Sequence, residues 1–135
     1  IRRGGMSWRL TMREVLFIAG FGALGCVARF SLSSRVYSWI GRGFPYGTFA
    51  VNIIGAFFIG FVMEFSMAST LISQNLRIGL TIGFMGGLTT FSTFSYETFK
   101  LLEDGQFMIA ICNVLLSVVV CLLFTWLGIH AARSI

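Results

Sequence analysis

Ten consecutive residues from Gly86 to Ser95, GGLTTFSTFS, place a glycine pair and five hydroxyl side chains inside an otherwise apolar stretch. Glycine costs about 1 kcal/mol relative to alanine in a helix interior, so adjacent glycines weaken a continuous helix. Serine and threonine hydroxyls can satisfy the carbonyls and amides that a break releases. Interrupted membrane helices put unwound carbonyls where they coordinate cations and half-helix N-termini where they attract anions. The run therefore has the makings of an ion site. A kinked helix with its hydroxyls bonded back to the preceding turn is the competing reading, and it does not explain why so many hydroxyls gather beside a glycine pair.

Other polar residues in apolar surroundings are few. Asn113, Ser117, Cys121 and Thr125 recur every fourth residue, which keeps them near one slowly drifting face of a helix. Such a track could replace water around a passing anion, or could act as interhelical glue worth about 0.6 kcal/mol per contact; spacing alone does not choose. Asn52 brings amide donors into a second apolar stretch, and Phe91, Phe94 and Glu97 stand three residues apart, as along one wall. An aromatic ring has a positive edge, so phenylalanine edges can favour an anion without the full charge that would trap it; out of this context, two phenylalanines among 15 would read as core packing. Arg29, toward the end of the first apolar stretch, lends positive potential to an anion path, pairs with carbonyls, or snorkels outward. Glu64 and Glu97 lie nearer the ends of their stretches and are expected to be solvated or paired rather than to carry protons, and His130 is expected at the interface.

The elements that would position these groups are membrane helices. The chain is 56% hydrophobic and only 11% charged, against about 25% charged in soluble domains, and its mean hydropathy is +0.87. Four apolar stretches, at about 14–33, 48–68, 77–99 and 107–130, approach or exceed the roughly 18 to 25 residues a helix needs to cross a bilayer core. The expected fold is an all-α membrane protein: one transmembrane domain over residues 1–135 with four spans, the third broken. The connections are too short for a soluble catalytic domain, so no enzyme is expected. The first stretch lacks a small-residue cleavage site and reads as a retained helix. Cys26, Cys112 and Cys121 lie in apolar stretches without CxxC spacing, which suggests neither disulfides nor a metal site. The net charge of +5 comes from arginines scattered at helix ends, the pattern of a membrane interface and not of a nucleic-acid partner.

With four spans both termini share one side, which carries Arg9, Arg13, Arg77 and Arg133 against Arg35, Arg42 and Lys100 on the other. That near balance weakens the positive-inside bias and admits insertion in both orientations; counting Arg2 and Arg3 as well would favour cytoplasmic termini. One bundle of four helices encloses little beyond its own side chains, so a polar route is more easily built between subunits, and a homo-oligomer is expected. Small residues at close spacing, Gly79 with Gly83, Ala56 with Gly60, and Gly20, Gly22 and Gly25, suit close helix approach within or between subunits.

Three segments together, GGLTTFSTFSYE from Gly86 to Glu97, GTFAVNIIG from Gly47 to Gly55 and GALGCVAR from Gly22 to Arg29, resemble the Fluc (CrcB-like) fluoride channels, and the four-span layout matches over nearly the whole chain. The resemblance implies a fluoride-selective channel: an antiparallel dual-topology homodimer in the bacterial inner membrane with two pores and a structural sodium ion at its centre. It implies that the backbone carbonyls of Gly86 and Thr89 from each subunit hold the sodium, that Asn52 donates to fluoride, and that Phe91 and Phe94 line the pore. Ser92, Thr93 and Ser117 would supply hydroxyls, with Glu97 and Arg29 at a vestibule. Asn113 stands where the family often has tyrosine or another polar residue, and Cys121 where it has a hydroxyl; a thiol donates weakly. The main rival is a small dual-topology proton-coupled multidrug exporter, which needs a carboxylate at membrane depth, whereas the first stretch offers only Glu14 at its edge. A second rival is an assembly subunit that transports nothing.

Overall fold

The computed structural model describes residues 9–135, so Arg2 and Arg3, which enter the charge count, lie outside the described residues. The described chain is helical throughout: α1 (Met12–Ile40), α2 (Tyr46–Ala68), α3 (Gln74–Ile78), a π-helical stretch (Gly79–Met85), α4 (Gly86–Leu88), α5 (Phe91–Glu103) and α6 (Phe107–Arg133). Three of these, α1, α2 and α6, are long and apolar enough to cross a membrane.

Local chemistry sets most boundaries. Thr11 and Glu14 form a reciprocal cap at the start of α1, with Glu14 N–H donating to Thr11 Oγ1 at 3.2 Å and Thr11 N–H to Glu14 Oε2 at 3.1 Å; this satisfies two of the amide groups that any helix start leaves orphaned. The helix runs past the apolar stretch ending near residue 33 and stops only at Gly41, whose φ of +96° breaks the helical path. Polar residues such as Ser34 and Arg35 end hydropathy without ending helix. Ser73 caps α3 through Leu76 N–H at 3.2 Å, and Thr90 caps α5 through Thr93 N–H at 3.1 Å.

The stretch from 74 to 103 is a series of short pieces, and its break falls later than the glycine pair suggests. Gly86 is helical (φ −62°, ψ −37°), while the chain turns extended at Thr89 (φ −92°, ψ 157°) and Thr90 (φ −153°, ψ 115°). Gly87 instead permits close packing: a methyl there would come within 2.6 Å of the Gly22 carbonyl oxygen and 2.9 Å of the Cys26 nitrogen on α1.

Packing is pairwise. Helix α1 lies along the π-helical stretch and α4, and α2 lies along α6. The second crossing is close enough that a methyl on Gly60 would strike the Thr125 carbonyl and one on Gly128 the Phe57 carbonyl. Small residues are thus spent inside the subunit: Gly22 and Gly83 face each other, Gly79 faces Phe21, and Gly25 faces the Phe84 carbonyl, whereas Gly20 meets nothing within 4 Å. A small core of Val51, Met85 and Leu88 forms where α2 and α4 meet α1, with Ala28, Leu32, Ile54 and Phe84 against it. The ends of α2 and α6 are tied by an ion pair, Arg133 Nε to Glu64 Oε1 at 2.7 Å.

Candidate functional site

The break at Thr89–Thr90 is held from outside by Asn52 on α2. Asn52 Oδ1 accepts the Thr90 N–H at 2.8 Å, and Asn52 Nδ2 donates to the Thr90 carbonyl at 3.3 Å. Because a backbone N–H can meet only the acceptor end of the amide, this pair fixes which way the Asn52 side chain points, and one of its two N–H donors remains uncommitted.

Carbonyls pay for the arrangement. In a continuous helix the Gly86 carbonyl would receive the Thr90 N–H and the Thr89 carbonyl the Thr93 N–H. Here the first of those donors goes to Asn52 Oδ1 and the second to Thr90 Oγ1. Thr89 turns its own hydroxyl back to the Met85 carbonyl at 2.9 Å. The hydroxyls beyond the break form a cluster: Thr90 Oγ1 donates to Thr93 Oγ1 at 3.0 Å and lies 3.3 Å from Ser92 Oγ.

Asn52, Gly86, Thr89, Thr90, Phe91, Phe94, Ser117, Cys121 and Thr125 converge on one open groove of about 410 Å³, bordered also by Thr81. Its lining contains no acidic, basic or histidine side chain. The Phe91 and Phe94 ring centroids are 5.4 Å apart and tilted by 47°, and Phe91 is 78% exposed along the groove. The donors on α6 rest on weak or local acceptors. Ser117 Oγ reaches Asn113 Oδ1 at 3.4 Å, long for an O–H···O bond, and Thr125 Oγ1 bonds the Cys121 carbonyl at 3.0 Å. Both hydroxyls can rotate to an anion in the groove without leaving a strong partner.

The expected track on α6 divides. Ser117, Cys121 and Thr125 face the groove, but Asn113, 1% exposed, turns toward α5, where its Nδ2 donates to Thr98 Oγ1 at 2.8 Å. Thr98 in turn donates to the Phe94 carbonyl at 2.7 Å. Asn113 is therefore a clamp behind Phe94.

The remaining expected site residues lie elsewhere. Thr93 and Arg29 border a separate cavity of about 250 Å³, together with Ser33, Thr48 and Thr90. Ser92 lies in the hydroxyl cluster outside the groove lining. Glu97 lines a third cavity with Arg42, Lys100 and Asp104, and its Oε1 accepts a hydrogen bond from Tyr37 at 3.0 Å. Lys100, past the end of the apolar stretch, bonds Glu103 Oε2 at 2.7 Å, and that hydrogen bond raises its pKa. Thr90 and Tyr37 are the contributors that sequence reasoning passed over. Thr90 carries a local signal, a threonine three residues ahead of the helical Thr93 amide; Tyr37, at the polar end of a long helix, carries none.

Residues 16–129 match the family model described as CrcB-like protein, Camphor Resistance (CrcB). Over 124 residues, 92% of the chain, the sequence is 71% identical to the full length of a protein of Geotalea daltonii named fluoride-specific ion channel FluC. It is 68% identical over the same share to a protein of that name from Geotalea uraniireducens, and 64% identical to one from Geobacter sulfurreducens.

Proposed function

Since the chain belongs to the CrcB-like family, we propose that it is a fluoride-selective channel through which fluoride leaves the cell passively across the bacterial inner membrane. The observation that carries this reading is the composition of the groove beside the broken helix: amide and hydroxyl donors and two phenylalanine rings, with no ionisable side chain.

Fluoride is small and strongly hydrated, so a pore must replace its water with converging donors and still release it from site to site. The spare Asn52 N–H, the loosely held Ser117 hydroxyl and the edges of Phe91 and Phe94 provide donors and positive edges without a fixed cation that would trap the ion. Thr93 and Ser92 extend the hydroxyl set, and Arg29 and Glu97 belong to vestibules on either side of it. The same lining disfavours a proton-coupled multidrug exporter, which needs a carboxylate in the substrate path.

The groove is open along one side, as suits a surface completed by a second copy. On this reading the segments from 74 to 103 together make a fourth span, two subunits pair in antiparallel orientation, and each dimer has two pores. The carbonyls of Gly86 and Thr89, whose helical donors are diverted, fit a hard cation such as sodium, which takes oxygen ligands. A sodium ion shared by the two subunits would offset the repulsion between carbonyls brought together there.

The deciding experiment is fluoride efflux from liposomes holding the purified chain, with a potassium ionophore to cancel voltage and chloride as comparison. Fast efflux selective for fluoride is expected. Comparable chloride flux, or no flux from a folded dimer, would overturn the reading.

A further inference from the structure

The Glu97 carboxyl has one oxygen engaged and one free. Oε1 accepts from the Tyr37 hydroxyl at 3.0 Å, while Oε2 is buried with no hydrogen-bond partner among the described residues. The Tyr37 oxygen also lies 3.4 Å from Thr48 Oγ1. A phenol has one hydrogen; since Tyr37 gives it to the carboxyl, the contact with Thr48 runs the other way, with Thr48 donating. The order is Thr48 to Tyr37 to Glu97.

The tyrosine ring has little freedom. The Arg42 guanidinium sits 4.4 Å from the ring centroid, a cation held against the ring face. Gly47 leaves the ring its space, because a methyl there would meet Tyr37 Cδ2 at 2.6 Å and the Ser33 carbonyl oxygen at 2.7 Å. The hydroxyl so fixed stands between two polar cavities. Thr48 borders the one that contains Arg29, Thr90 and Thr93, and Glu97 borders the one that contains Arg42, Lys100 and Asp104.

We propose that Tyr37 is a positioning residue for ion passage: its hydroxyl fixes the Glu97 carboxyl at the mouth of the path and thereby sets the rate at which fluoride crosses. The proposal rests on the fluoride-channel reading. A carboxyl released from Tyr37 would turn toward the cations of its own cavity, Arg42 and Lys100, or toward the hydroxyls that receive the ion. Either move places negative charge or a competing acceptor in the path of an anion.

The test compares the full chain with Tyr37→Phe, which keeps the ring and its packing against Arg42 and Gly47 and removes only the hydroxyl. Fluoride efflux from liposomes is expected to slow about tenfold or more, the usual consequence of losing a hydrogen bond to a charged group, with dimer size unchanged. In Glu97→Gln the added Tyr37→Phe should change nothing further. Infrared spectroscopy of the purified dimer reads the contact independently of transport: the Glu97 carboxyl band, assigned by its disappearance in Glu97→Gln, should shift in Tyr37→Phe. Unchanged efflux in Tyr37→Phe, an unshifted band, or an equal slowing in a still-active Glu97→Gln background would each overturn the proposal. If the unaltered chain moves no fluoride, the channel reading itself fails; if it does and Tyr37→Phe matches it, only the role of Tyr37 fails.

Discussion

Asn52 and Thr90 bond to each other twice, through Oδ1 to N–H at 2.8 Å and through Nδ2 to C=O at 3.3 Å, so one side chain on α2 substitutes for the helical partners that Thr90 gives up. Replacing Asn52 by alanine leaves a buried amide and carbonyl unpaired, at about 1–3 kcal/mol each, and removes the spare donor to the groove. Asn52→Ala should therefore lower the melting temperature of the purified protein and cut fluoride efflux by roughly a hundredfold. Asn52→Asp keeps the acceptor for Thr90 N–H but offers no donor, and should lose efflux while melting above the alanine variant.

Phe94 reaches the groove with its ring and is anchored from behind by its backbone carbonyl, which accepts from Thr98. Phe94→Ile should slow fluoride efflux by about tenfold, the scale of an aromatic contact beyond simple burial, and leave dimer mass unchanged in size-exclusion chromatography. Equal rates in the two proteins would remove the ring from the path.

Removing the clamp behind that ring is a separate matter. Asn113→Leu leaves Thr98 Oγ1 without its donor at 2.8 Å and frees Ser117 from Asn113 Oδ1. A loss of about 1 kcal/mol is expected, seen as a lower melting temperature, with fluoride preference over chloride retained.

The glycines divide into tight and open sites. Gly128→Ala drives a methyl into the Phe57 carbonyl and should destabilise the α2–α6 crossing by about 1–3 kcal/mol. Gly20→Ala, with nothing within 4 Å of its added methyl, should leave both melting and efflux unchanged. Arg133→Gln is a further contrast: the ion pair with Glu64 is partly exposed, so its loss should cost no more than about 1 kcal/mol and spare transport.

Exchange of sodium for a bulky organic cation tests the carbonyls of Gly86 and Thr89. Dimers that lose transport and melt earlier, with both restored by sodium, are expected. Transport and melting that do not change would remove the ion from the account.

Much of this was legible from residue types. Hydropathy located α1, α2 and α6, and the glycine and hydroxyl run marked the interrupted stretch, because both signals depend only on composition along the chain. The exact break was not legible. Gly86 and Gly87 looked like the weak point, but Gly87 is needed for contact with α1, and Thr90 is what Asn52 can grip across 38 positions of sequence. The every-fourth-residue pattern of α6 likewise could not tell which members face the groove, since Asn113 has a partner on α5 that no local spacing reveals. Tyr37 and Glu97 meet only through tertiary packing, 60 residues apart.

The π-helical stretch has a bearing on how the break finds Asn52. Gly86 N–H reaches back to the Thr81 carbonyl, five positions away, so the turn holds one residue more than an α-helical turn would. Deleting a single residue between 79 and 85 would let ordinary α-helix close over the gap and would turn everything downstream by about 100° about the helix axis. Thr90 would then swing away from α2 with its chemistry intact but misdirected. The wide turn acts as a phase setting for the ion site, and insertions or deletions there should be far more damaging than substitutions of similar size.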